Sequence, residues 1–90
     1  MTTKTLTGNY QVLSQDYILI ADSSAGPFTV TLPDPSGMEG REYKFIRVNT
    51  GTNRNVTITP VAGSVVNLSA QYNTLVVVSI GMAWIKLNGA

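Results

Sequence analysis

The strictest constraint in this chain is a two-residue alternation broken every few residues by glycine or proline. In residues 26–46, GPFTVTLPDPSGMEGREYKFI, Phe28, Val30 and Leu32 alternate with Thr29 and Thr31. Two further prolines and two glycines follow before a new run starts at Tyr43. Side chains of an extended strand point to opposite faces, so this pattern predicts a strand with one buried face. β-Branched residues and glycine recur along the whole chain and good helix formers are sparse, so no segment reads as a helix. Strands are predicted at 9–13, 17–22, 27–32, 43–48, 55–60, 64–68, 74–80 and 82–87. The turns between them are DSSAG, PDPSGMEG, NTGTNRN, VAGS and IGM. The expected fold class is all-β: short antiparallel strands and hairpins forming a small sandwich or β-prism-like unit. Residues 1–8 read as a flexible N-terminal segment, and 9–90 as a single domain.

Two stretches share a layout. Residues 17–33 and 43–60 each open on Tyr, turn at Gly, and end in a Val-Thr-aliphatic strand closed by Pro. Tyr17 aligns with Tyr43, Val30 with Val56, Thr31 with Thr57 and Leu32 with Ile58, an offset of 26. Residues 72–88 have the same strand–Gly–strand shape with a tighter turn. A degenerate repeat and the general likeness of hairpins both account for this. On either account the unit is expected to be a hairpin.

The faces differ between strands. Residues 27–32 and 55–60 have one apolar and one threonine-bearing face. In 17–22, 74–80 and 82–87 both faces are apolar: Leu19 and Ala21 against Ile18 and Ile20, Leu75 and Val77 against Val76, Val78 and Ile80, Met82 and Trp84 against Ala83, Ile85 and Leu87. One small domain has one core, so a second apolar face implies a subunit interface or a three-layer packing. The first is easier to build from 90 residues. A domain of this size buries only about 60% of its unfolded surface. With no cysteine and no histidine, disulfides and thiolate or imidazole metal sites are unavailable, which leaves oligomerisation as the usual means of stabilisation. Charged residues are only 12% of the chain, against about 25% in typical domains. A strand as apolar as TLVVVSI needs cover.

The same composition argues against several chemistries. The carboxylates are Asp16, Asp22, Asp34, Glu39 and Glu42. Glu39 and Glu42 share a turn with Arg41 and Lys44 and read as a solvated turn rather than an acid–base pair. Asp16 and Asp22 read as turn residues bonding local backbone. No histidine is present to activate a serine, and no phosphate loop occurs. The expectation is no enzyme activity and no cofactor or metal. A net charge of +1 gives no footprint for nucleic acid, and no apolar run is long enough for a membrane helix.

Several motifs together carry a family resemblance. Asp16-Tyr17 leads a strand; Gly26 to Pro33 reads GPFTVTLP; Gly40 to Tyr43 reads GREY; Val56 to Gly63 reads VTITPVAG; Tyr72 to Leu75 reads YNTL; and Gly81 to Trp84 reads GMAW. The pattern resembles a β-rich module of bacteriophage tail fibres and tailspikes over about residues 10–88. Such modules usually carry a longer segment with a second glycine after the P-x-x-G turn, where GSVVNLSAQY here runs straight on from Gly63. The resemblance implies a homotrimer of interlocked chains in the virion tail, folded in the bacterial cytoplasm. Its partners would be copies of itself, neighbouring fibre segments and a host-surface glycan. Leu75, Val77, Trp84, Ile85 and Leu87 are the candidates for assembly. Arg41, Thr52, Asn53 and Arg54 are the candidates for outward contact. The alternative is a monomeric carbohydrate-binding sandwich with exposed aromatic residues.

Overall fold

A computed structural model describes residues 3–89 as nine strands with no helix among them: β1 (Thr3–Leu6), β2 (Tyr10–Gln11), β3 (Ile18–Ala21), β4 (Phe28–Thr31), β5 (Glu42–Arg47), β6 (Val56–Val61), β7 (Ser64–Leu68), β8 (Thr74–Ser79) and β9 (Trp84–Gly89). Each of the eight expected strands is present, including the one at 64–68. Part of the segment expected to be a flexible start, Thr3–Leu6, is instead a strand.

The pairing differs from the expected hairpins. β1, β3 and β5 lie side by side in parallel, continued by antiparallel β8 and β9, to make a five-stranded sheet. β2, β4 and β6 lie in parallel, continued by antiparallel β7, to make a four-stranded sheet. Successive strands β1–β2, β3–β4 and β5–β6 therefore belong to opposite sheets, and the turn between them is an arch, not a hairpin. Three arches stack as rungs, and β7 to β9 then reverse direction. The two true hairpins are β6–β7 and β8–β9. Alternation and turn residues look the same for an arch and a hairpin, so the local sequence does not separate them.

The rungs explain the repeat. Ile18 pairs with Lys44, the expected offset of 26. In the second half, however, Thr29 pairs with Thr57 and Val30 with Ile58, an offset of 28. Arch 48–55 is two residues longer than arch 22–27, and the register absorbs the difference so that threonine stacks on threonine.

The core lies between the sheets. Leu19, Tyr43, Phe45, Leu75, Val77 and Trp84 from the larger sheet meet Val30, Val56, Ile58 and Leu68 from the smaller. Each aliphatic or aromatic side chain buried here contributes about 1.5–3 kcal/mol. Tyr43 and Trp84 pack with ring centroids 5.1 Å apart. Both polar atoms find backbone partners: Trp84 Nε1 donates to the Pro33 carbonyl at 2.7 Å, and the Tyr43 hydroxyl to the Leu13 carbonyl at 3.1 Å. Leu75 faces Gly89 across the β8–β9 pair. Gly89 has φ +107°, and a Cβ there would collide with the Thr74 carbonyl, so the position requires glycine.

The first rung closes its own end. Lys4 pairs with core residue Leu19 and so occupies a core-side position on an edge strand. Its ammonium lies 5.3 Å from the centre of the Tyr10 ring. Charge on an edge strand discourages further pairing. Tyr10 in turn donates to Asp16 Oδ2 at 2.6 Å, and Leu13 N donates to the same oxygen at 2.9 Å.

Candidate functional site

The register places the doubly apolar strands in one sheet. On the side of the larger sheet away from the core, Ile18 and Ile20 of β3, Ile46 of β5, Val76 and Val78 of β8 and Ile85 of β9 are all half-buried. Across the strands, Ile20 pairs with Ile46 and Val78 with Ile85. Lys44 pairs with Ile18 on one side and with Val76 on the other. Glu42, two residues away, shares the same face and pairs with Val78. The Lys44 ammonium lies 5.2 Å from the centre of the Tyr17 ring. A shallow depression of about 270 Å³ on this sheet is lined by Ile18, Lys44, Ile46, Thr74 and Val76, among others. Within a single chain, nothing among the described residues covers this face.

The outer side of the smaller sheet is polar apart from Val65 of edge strand β7, 51% exposed. Thr29 and Thr57 form one row with Asn67, and Gln11, Thr31 and Thr59 form the next. Thr57 Oγ1 donates to Asn67 Oδ1 at 2.7 Å. Asn9 Oδ1 accepts from Thr29 N at 2.8 Å.

The residues singled out for assembly divide between the two sides. Leu75, Val77 and Trp84 are at most 1% exposed and belong to the chain's own core, where a partner cannot reach them. Trp84 emission therefore reports folding rather than association. Ile85 lies on the outer face, and Leu87, 56% exposed, is the extra residue where the β8–β9 register shifts. The outer-face residues Ile18, Ile20, Ile46, Val76 and Val78 were not among the candidates. Alternation reveals two faces but not which one turns inward. The larger side chains of Tyr43, Phe45 and Trp84 decide that.

The candidates for outward contact also divide. Arg41 is half-buried. Its Nη2 donates to the Asp16 carbonyl and its guanidinium lies 4.9 Å from the centre of the Tyr43 ring. It braces the 12–17 connection rather than reaching outward. Thr52 and Asn53 are exposed, and Arg54 is half-buried. The longer arch that carries them is held firmly. Asn49 Oδ1 accepts from Ser23 N at 2.8 Å, and the single Ser23 Oγ proton serves the Arg54 carbonyl or Asn49 Oδ1, the latter at 3.2 Å. Arg47, wholly buried, donates from Nη2 to the Gly51 carbonyl at 2.8 Å, while its Nε and Nη1 have no partner among the described residues.

The carboxylates take structural roles. Asp22 accepts from Ser24 N at 3.0 Å, the expected turn bond, and Asp34 accepts from Ser36 N at 2.9 Å in the same way. The Ser24 side chain and backbone hold the Asp22 carboxyl below its ordinary range, and the Ser36 backbone and side chain do the same for Asp34. Burial and the bond to Asp16 push the Tyr10 hydroxyl up to about 12. Burial also raises the Tyr43 hydroxyl, against an opposing effect of Arg41.

No protein-family model matches this sequence, and no curated protein matches it.

Proposed function

We propose that this chain is a structural, self-associating module of a phage tail fibre or tailspike, and that the outer face of its larger sheet is the surface on which copies meet. The observation that carries the reading is that face: six half-buried aliphatic residues on a sheet whose other side is already filled by the core. A second copy suits the face because Glu42 and Lys44 both project from it, so like faces offer each other opposite charges. The molecule measures 36 × 25 × 19 Å. Its broad face is on the order of the roughly 800 Å² that each partner contributes to a standard interface. The trimeric state and the virion setting rest on the motifs running from Asp16-Tyr17 to Gly81–Trp84.

Light scattering over a dilution series tests this. The expected mass is about 29 kDa, three chains of 9.6 kDa, falling at low concentration as mass action requires. A 9.6 kDa species at every concentration would overturn the reading.

A further inference from the structure

Arg47 is the most deeply buried charge among the described residues, 0% exposed. It shares the core side of β5 with Tyr43 and Phe45 and pairs with Ala21 of β3. Its backbone is fixed from the neighbouring strand and turn. Arg47 N donates to the Asn73 carbonyl at 3.0 Å, and the Arg47 carbonyl accepts from Tyr72 N at 2.6 Å. The guanidinium reaches beneath arch 48–55, where Nη2 donates to the Gly51 carbonyl at 2.8 Å. Arginine does not give up its proton inside a protein, so the charge persists at this depth. A buried charge left without a partner is strongly disfavoured.

The chain brings no anion of its own to this place. Asp16, Asp34 and Glu39 belong to connections 12–17 and 32–41, at the opposite end of the sandwich. Glu42 projects from the outer side of β5. Asp22, in the neighbouring arch 22–27, is bonded by Ser24 N at 3.0 Å, and Ser24 rather than Arg47 is what lowers its carboxyl. Neither arch 48–55 nor connection 69–73 contains an acidic residue, and Arg54 adds a second positive charge. A carboxylate of a second copy does not reach a side chain closed from solvent within its own chain.

The donors left over form a usable set. A guanidinium carries five N–H bonds in one plane. Nη2 has two of them, one parallel to the Nε–H bond and one parallel to an N–H bond of Nη1. The Gly51 carbonyl takes one, while Nε and Nη1 have no partner among the described residues. Whichever Nη2 hydrogen Gly51 takes, one edge of the guanidinium keeps two parallel N–H bonds. That edge is the fork with which arginine grips an anion. Water would satisfy the hydrogen bonds and leave the charge, whereas an anion answers both. The ligand has to be small, because the unpartnered nitrogens are closed from solvent. A halide, a single atom, meets that condition; sulfate, phosphate and organic acids do not.

We infer that the folded chain takes up one halide ion, chloride in ordinary saline, on the unused edge of the Arg47 guanidinium beneath arch 48–55. The inference goes beyond the assembly reading and does not use the face assigned to it.

The test begins with the whole chain crystallised from sodium bromide and diffraction measured at the bromine absorption edge. The expected result is an anomalous peak within hydrogen-bonding reach of two Arg47 nitrogens. In solution, bromide replaces gluconate, an anion too large for a closed site, at constant ionic strength. The unfolding constant in urea should fall about tenfold as bromide rises from a tenth of its Kd to ten times its Kd, because only the folded chain binds. Arg47→Met, similar in length and uncharged, should unfold alike in bromide and gluconate. The proposal is overturned by water or a carboxylate against Arg47 where bromide is expected, by parent protein whose unfolding ignores bromide, or by an Arg47→Met chain that keeps the parent's bromide dependence. The bromide map on the parent decides the matter even where the variant does not fold. Light scattering on the same samples reads assembly separately, so failure at one site is not mistaken for failure at the other.

Discussion

The two sheets share a core but differ on their outer sides. The larger presents Ile18, Ile20, Ile46, Val76, Val78 and Ile85; the smaller presents Gln11, Thr29, Thr31, Thr57 and Thr59, with Val65 the one exposed aliphatic residue, on its β7 edge. Both combine three parallel strands with antiparallel strands at one side, so strand geometry does not account for the contrast. Threonine keeps the β-branched shape that suits a strand while offering water a hydroxyl. Isoleucine and valine keep the shape and offer water nothing. The smaller sheet is thus finished as a solvent surface, whereas the larger is finished only when something lies against it.

The strongest challenge to this contrast comes from one strand. Phe45 and Ile46 are neighbours on opposite sides of β5. Phe45→Ala should cost about 3–5 kcal/mol in urea unfolding, through lost burial and a cavity. Ile46→Ala should cost clearly less in dilute, dissociated protein. Equal losses would mean that the outer side is as tightly packed as the core. Next in size is the pair Ile46→Lys and Val76→Lys. Together they place charge on the apolar face and should bring the light-scattering mass to that of one chain while circular dichroism still reports strands. An unchanged mass would move the assembly surface elsewhere.

A pH titration sharpens the picture of the first rung. Tyr10 ionises at about 12 in the folded chain against 10.0 ordinarily, so folding favours its neutral form. That contribution is complete below pH 10 and is lost as pH rises from 10 toward 12. Tyr10→Phe should flatten the stability curve in that window, and persistence of the full slope would exclude Tyr10 as its source. The smallest effect belongs to the polar side. Thr31→Val should change stability by no more than about 0.5 kcal/mol and leave the mass of the protein alone. A rise in mass would show that only the hydroxyls keep this side free of partners.

Much of this was legible in the chain itself. The strand positions from residue 9 onward, the turn roles of Asp16 and Asp22, and the presence of two apolar sides on β3 and β8 all follow from local rules of alternation and turn chemistry. Thr3–Leu6 was not legible as a strand, because its TKTL sequence is an edge strand stabilised by pairing with β3 rather than by a pattern of its own. Arg47 was legible only as a charge on the side of β5 that carries Tyr43 and Phe45. That its guanidinium is closed from solvent depends on how arch 48–55 lies over it.

By itself, then, the sequence determined that the chain would be extended, where it would bend, and that it has more apolar surface than one small core can use. Only the tertiary structure decided that successive strands cross between sheets instead of folding into hairpins. It also decided that Leu75, Val77 and Trp84 turn inward while Val76, Val78 and Ile85 turn out. The physical reason is the same in both cases. Alternation has a period of two and is symmetric between the faces of a strand. That symmetry is broken by the volume of Tyr43, Phe45 and Trp84, which must fill a single space between two sheets, and by the stacking of one arch upon the next.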